Sequence, residues 1–100
     1  MAKIETKGFE VLGTKDKEQF TKLSSEYSKK YARKLRGLTH LLFHLKENRK
    51  EGNARKSSIN IRATDNLKVY EVSSSGWDFK KTLHKALEKL QTKIEHSLYK

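Results

Sequence analysis

A chain of 100 residues suffices for one domain with one modest core, and 34% hydrophobic against 35% charged residues leaves that core little to spare. The absence of cysteine excludes a disulfide framework and a thiolate metal site; no apolar run approaches the roughly 20 residues of a membrane span, and Met1-Ala2-Lys3-Ile4-Glu5 lacks the apolar run of a signal peptide, so the expected location is cytoplasmic. The 23 Lys and Arg against 12 Asp and Glu, formally +11, make a field that attracts polyanions, in a cell mostly nucleic acids.

Residues 3–11, KIETKGFEV, read as a first strand, with Gly8 at a bulge position. Thr14 stands as a helix N-cap, with Asp16 and Glu18 in the first turn, where the helix dipole favours acids. The first helix is expected to run to about Leu35. Phe20, Leu23, Tyr27 and Tyr31 form its apolar stripe at spacings of three and four, and Gly37 is placed to end it.

LTHLLFHLKE, residues 38–47, alternates: Leu41, Phe43 and Leu45 fall on one face, His40, Leu42 and His44 on the other. Residues 48–56, NRKEGNARK, are polar and basic with a Gly-Asn pair and read as a hairpin loop. SSINIRAT puts Ile59, Ile61 and Ala63 on one face of the next strand, and Asp65-Asn66 is a tight turn. LKVYEVSS is the fourth strand. Ser73-Ser74-Ser75-Gly76 breaks the pattern, and the second helix begins near Trp77 or Asp78.

The order β-α-β-β-β-α predicts an α+β two-layer sandwich, with two helices on one face of a four-stranded sheet whose last three strands form an antiparallel meander. Residues 1–100 are expected to be a single domain, without repeats or a Pro-rich linker.

Residues that would carry chemistry do not assemble. The glycines are scattered and build no phosphate-cradling loop. His40 and His44 have metal-ligand spacing only on a helix; in a strand they stand some 13 Å apart, too far for one ion. His84 and His96 lack a third ligand. No enzyme, metal site or cofactor is therefore read.

The charge, by contrast, is sorted. Residues 22–56 hold eleven Lys and Arg against Glu26, Glu47 and Glu51, whereas residues 1–21 are balanced. On a wheel of about 100° per residue, Leu83, Leu87, Leu90, Ile94 and Leu98 cluster within roughly 80°. Lys81, Lys85, Lys89 and Lys93 band the other side, with Glu88 and Glu95 at the band's edge. On the first helix Lys22, Lys29, Arg33 and Arg36 share a face. Any helix needs a polar face, and Lys is a good helix former. Two helices side by side would nevertheless merge these bands into one basic surface suited to RNA phosphates. Arg49, Lys50, Arg55 and Lys56 add a basic loop that orders on binding. Trp77, Tyr27 and Tyr31 are assigned to the core and Tyr99 is left open.

The element order and the closing GWDFKKTLHKALEKLQTKI resemble the ribosome hibernation factors, the short hibernation-promoting factor and ribosome-associated inhibitor family. Asp78 matches the family's Asp near the start of the last helix. Leu83, Leu87, Leu90 and Ile94 match its aliphatic positions, and Lys89 a basic one. Phe79-Lys80-Lys81-Thr82-Leu83 departs from it, with the aromatic shifted and Thr in place of Ala. The resemblance implies a fold similar to a double-stranded-RNA-binding domain with an extra first strand. It implies a partner, the small ribosomal subunit and its rRNA, and competition with mRNA and tRNA for the channel between head and body. Translation would be inhibited by occupancy while the ribosome is preserved. Without the C-terminal dimerisation domain of the long members, the chain is expected to be a monomer. The alternative from the residues alone is a generic module for double-stranded or structured RNA without ribosome specificity. An anionic membrane fits less well, because no helix has a spare apolar face beside its basic one. A basic protein docking on an acidic protein is the reading from another class.

Overall fold

The computed structural model describes residues 3–51, 54–66 and 68–98, with side chains described throughout except at 47–51, 54 and 55. Strand β1 (Lys3–Lys7) leads through a 3-10 turn (Phe9–Val11) to helix α1 (Thr14–Lys34); β2 (Leu38–Glu51), β3 (Ala54–Asp65), β4 (Lys68–Gly76) and helix α2 (Phe79–Leu98) follow. The sheet order is β1-β2-β3-β4. β1 runs parallel to β2, as a helical crossover allows, and β2-β3-β4 is an antiparallel meander. The element order and α+β layering agree with the sequence reading.

Periodicity explains the layers. Alternation in β2 and β3 sends Leu41, Phe43, Leu45, Ile59, Ile61 and Ala63 under the helices. Against them pack Phe20, Tyr27 and Tyr31 of α1 and Leu83, Ala86, Leu87, Leu90 and Ile94 of α2, all buried, with Leu23 partly so. Phe9, Phe20 and Phe43 meet ring to ring, with centroids 4.4 and 5.0 Å apart along the chain of three. α2 lies along β3 and β4 and α1 beside it over β2. β1 at the edge therefore keeps its inward-side Ile4 40% exposed.

Several boundaries differ from expectation, each for a physical reason. β1 ends at Lys7 because Gly8 takes a left-handed φ of 81°, turning Phe9 into the core; a Cβ there would meet the Leu45 carbonyl oxygen. Thr14 is the first residue of α1 and Gly13 its N-cap, without a side-chain cap bond. Leu35 caps the other end, its N–H donating to the Tyr31 carbonyl. Gly37 acts beyond the helix, at the far end of β3. Its carbonyl accepts the Asn66 N–H at 3.2 Å, and a Cβ would strike the Asp65 and Asn66 side chains. Asn66, at φ 51°, makes the Asp65-Asn66 turn tight, as expected.

Residues 48–56 are not simply a loop. β2 and β3 pair as far as Glu51 and Ala54, after a register shift between Glu47 and Arg49, while β4 stops opposite Ser57. The outer hairpin is thus a two-stranded ribbon standing beyond β4. The Gly52-Asn53 pair lies outside the described residues. Ser73–Gly76 continues β4, because small residues let α2 approach: a Cβ on Gly76 would sit 2.7 Å from Thr82 Oγ1. Trp77 does not cap the core; it is 48% exposed. Tyr99 lies outside the described residues.

Candidate nucleic-acid interface

The last helix is set by its first turn. Asp78 is the N-cap: its carboxylate accepts the Lys81 N–H at 2.9 Å, and its carbonyl accepts the Thr82 hydroxyl at 2.7 Å. With the leucine face fixed on the sheet, Lys81, Lys85, Lys89 and Lys93 are left exposed. The four do not share one environment. Lys89 Nζ donates to the Ser73 carbonyl at 3.1 Å, and Lys93 Nζ to the Glu71 carbonyl at 2.9 Å. These carbonyls belong to edge strand β4, so two of the stripe's cations lean onto the sheet's open backbone. Among the described residues, none bonds the ammonium of Lys81 or Lys85.

On α1, Lys22, Lys29 and Arg33 are exposed on one face; Arg36, also exposed, stands in the turn beyond the helix end. The expected merging of the two basic bands is interrupted. Between the helices the Tyr31 hydroxyl donates to the Leu87 carbonyl at 2.7 Å. Tyr27 Oη lies 3.1 Å from His84 Nε2, and His84 Nδ1 lies 3.4 Å from Glu88 Oε1. Lys34 pairs with Glu95 at 3.1 Å, which also accepts from Gln91. The bands therefore flank a seam that carries two carboxylates.

The electrostatics follow from these contacts. Burial, with Glu88 and Glu26 nearby, raises the Tyr27 phenol above its ordinary value. Burial, then Tyr27, pushes the Tyr31 phenol up strongly, so both phenols stay neutral. The hydrogen bond from Lys34 holds the Glu95 carboxyl below the usual Glu value, and the Arg62 guanidinium does the same for Glu71.

Arg49 stands opposite Lys56, and Lys50 opposite Arg55, on the hairpin ribbon. The side chains of Arg49, Lys50 and Arg55 lie outside the described residues; Lys56 is half-buried. His40 and His44 occupy alternate positions on the face away from the helices, as strand periodicity required. Among the described residues no group of three or more His, Asp or Glu is placed to hold a metal ion, and no helix is long and apolar enough to cross a membrane.

The sequence reading omitted Lys30 and Lys34. Lys30 covers the Tyr27 ring, 4.6 Å from its centroid, and Lys34 reaches α2. Their helical position beside the apolar stripe was the available signal. Lys7 and Lys46 were also omitted, although two-residue spacing from His44 places Lys46 on the open face.

No family model matches the sequence, and no curated protein matches it either. Solved structures do. A ribosomal subunit interface protein from Coxiella burnetii is similar over 100% of both chains, with a TM-score of 0.59 and 14% identity. The N-terminal domain of Thermus thermophilus Protein Y is similar over 96% of this chain and 98% of its own, with a TM-score of 0.59 and 18% identity. The β-α-β-β-β-α fold that the sequence led us to expect is therefore shared, over essentially the whole chain, with these two structures.

Proposed function

We propose that this protein is a ribosome-binding hibernation factor that acts without catalysis. It inhibits translation by occupying the mRNA and tRNA path of the small subunit, as a monomer in the cytoplasm. The observation that carries this reading is the exposure of Lys22, Lys29, Arg33, Lys81 and Lys85 on the helix side of a fold shared, end to end, with a ribosomal subunit interface protein. Cations on rigid helices suit rRNA phosphates, which position a protein without requiring a base sequence. Lys89 and Lys93 hold their ammonium groups over β4 and stand at the rim of this surface. Arg36 extends it past the end of α1, and the hairpin positions Lys50 and Arg55, paired in register beyond the end of β4, extend it along the ribbon.

The test is sucrose-gradient sedimentation of purified small subunits with the protein, with and without mRNA and tRNA. Comigration that mRNA or tRNA displaces is the expected result. Protein that stays at the top of the gradient while binding free duplex RNA would make it a general RNA module instead.

A further inference from the structure

The open face of the sheet, opposite the helices, has a charge pattern of its own. Pairing arranges it in rows across the strands. Lys3 lies beside His40, Glu5 beside Leu42, and Lys7 beside His44. Across β2 and β3, Leu42 faces Arg62, His44 faces Asn60, Lys46 faces Ser58, and Arg49 faces Lys56. Arg62 faces Glu71 on β4. The side chains of all these except Arg49 are described, and Lys7, His44 and Lys46 are exposed.

The face divides into two halves. In one, acids and bases neutralise each other: Lys3 pairs with Glu5 at 3.5 Å, and Arg62 Nε donates to Glu71 Oε2 at 2.7 Å. The other half runs from Lys7 through His44 and Lys46 to Lys56, and Arg49 continues it in register. Among the described residues, none engages the side chains of Lys7, His44, Lys46 or Lys56 in a hydrogen bond or ion pair. Same-face positions recur about every 7 Å along a strand, so this half is a row of separated donors rather than one clustered charge.

We infer that Lys7, His44, Lys46 and Lys56 form a second RNA-backbone track on the open sheet face, separate from the two-helix surface. The inference rests on the reading of RNA as the polyanion. A two-layer domain with cations on both outer faces then holds two RNA segments at once, one on each side. The helices bear the first segment, and the open face with its hairpin bears the second.

The test uses the full chain and two short RNA duplexes of one sequence, one carrying a donor dye and one an acceptor, at about 0.15 M salt, where surface charges beyond about 8 Å are screened. The wild type is expected to bind two duplexes and to give energy transfer between them. A Lys7→Gln/Lys46→Gln/Lys56→Gln variant, checked as folded by circular dichroism, is expected to bind one duplex, lose the transfer, and show a salt slope shallower by about 2 to 3, one contact per cation removed. A Lys22→Gln/Lys29→Gln/Lys81→Gln/Lys85→Gln variant serves as the counterpart and should lose transfer while keeping the open-face contact. Wild type that binds a single duplex, or a triple variant that keeps transfer and slope, overturns the second track. If the helix variant alone then abolishes binding, the proposed function stands without it. If neither variant changes RNA binding, the RNA reading itself falls.

Discussion

The Tyr31 hydroxyl donates to the backbone carbonyl of Leu87 across 2.7 Å, from a ring with no solvent exposure. This bond ties the last turn of α1 to the middle of α2 and fixes the spacing of the two exposed cation bands. Residue numbers rise together along the seam, Tyr27 meeting His84, Tyr31 Leu87 and Lys34 Glu95, so the helices run in the same direction.

Tyr31→Phe removes the bond and keeps the ring. The Leu87 carbonyl retains its place in the helix, so the loss should be about 1 kcal/mol, the net worth of a buried hydrogen bond, read as a lower urea midpoint with unchanged m-value. Tyr31→Ala also empties the space of the ring and should cost about 3 to 5 kcal/mol.

Asp78→Ala leaves the first turn of α2 without its cap and without an acid at the positive end of the helix dipole. A loss of about 1 kcal/mol is expected in thermal or urea unfolding, and Asp78→Asn should recover most of it.

Lys89 and Lys93 give a prediction that separates fold from binding. Both donate to carbonyls of edge strand β4. Lys89→Ala/Lys93→Ala should leave stability within about 0.5 kcal/mol, as exposed sites do, but uncover a strand edge. Self-association should then rise with concentration in light scattering more steeply than for the wild type.

The acid limb of stability carries a sign fixed by Glu71 and Glu95. Both carboxyls are held below their ordinary value of 4.5, by Arg62 and Lys34 first. A depressed folded-state value means that the stabilisation is fully present above 4.5 and is lost as pH falls through the folded values. Glu71→Gln/Glu95→Gln should therefore flatten stability against pH below about 4.5 and leave its shape at pH 7 to 8 unchanged, as followed by urea unfolding at each pH.

What the sequence makes legible is what depends on local period. Leu41, Phe43 and Leu45 alternate and Leu83, Leu87, Leu90 and Ile94 recur at helical spacing, and all are buried. What it hides depends on partners distant in the chain. Residues 48–56 are polar enough to read as loop, yet pairing extends β2 to Glu51 and starts β3 at Ala54. Ser73–Gly76 reads as a break, yet small residues are what Thr82 at the start of α2 requires there. Gly37 reads as a helix stop, but its small size serves the Asp65-Asn66 turn, visible only once the ends of β2 and β3 meet. The basic stripe on α2 was legible as a stripe. That Lys89 and Lys93 bend onto β4 was not, because only the fold brings Ser73 and Glu71 beneath them.

The central claim, that the helix cations meet rRNA on the small subunit, is tested most directly by small-subunit binding of a Lys81→Glu/Lys85→Glu variant across a salt series. Both residues are exposed, so the variant should fold as the wild type does. The account predicts that it fails to comigrate with small subunits near 0.15 M salt, with a salt slope shallower by about 2 where binding persists at lower salt. Comigration equal to wild type across the series would contradict it and leave the helix stripe a solvated face.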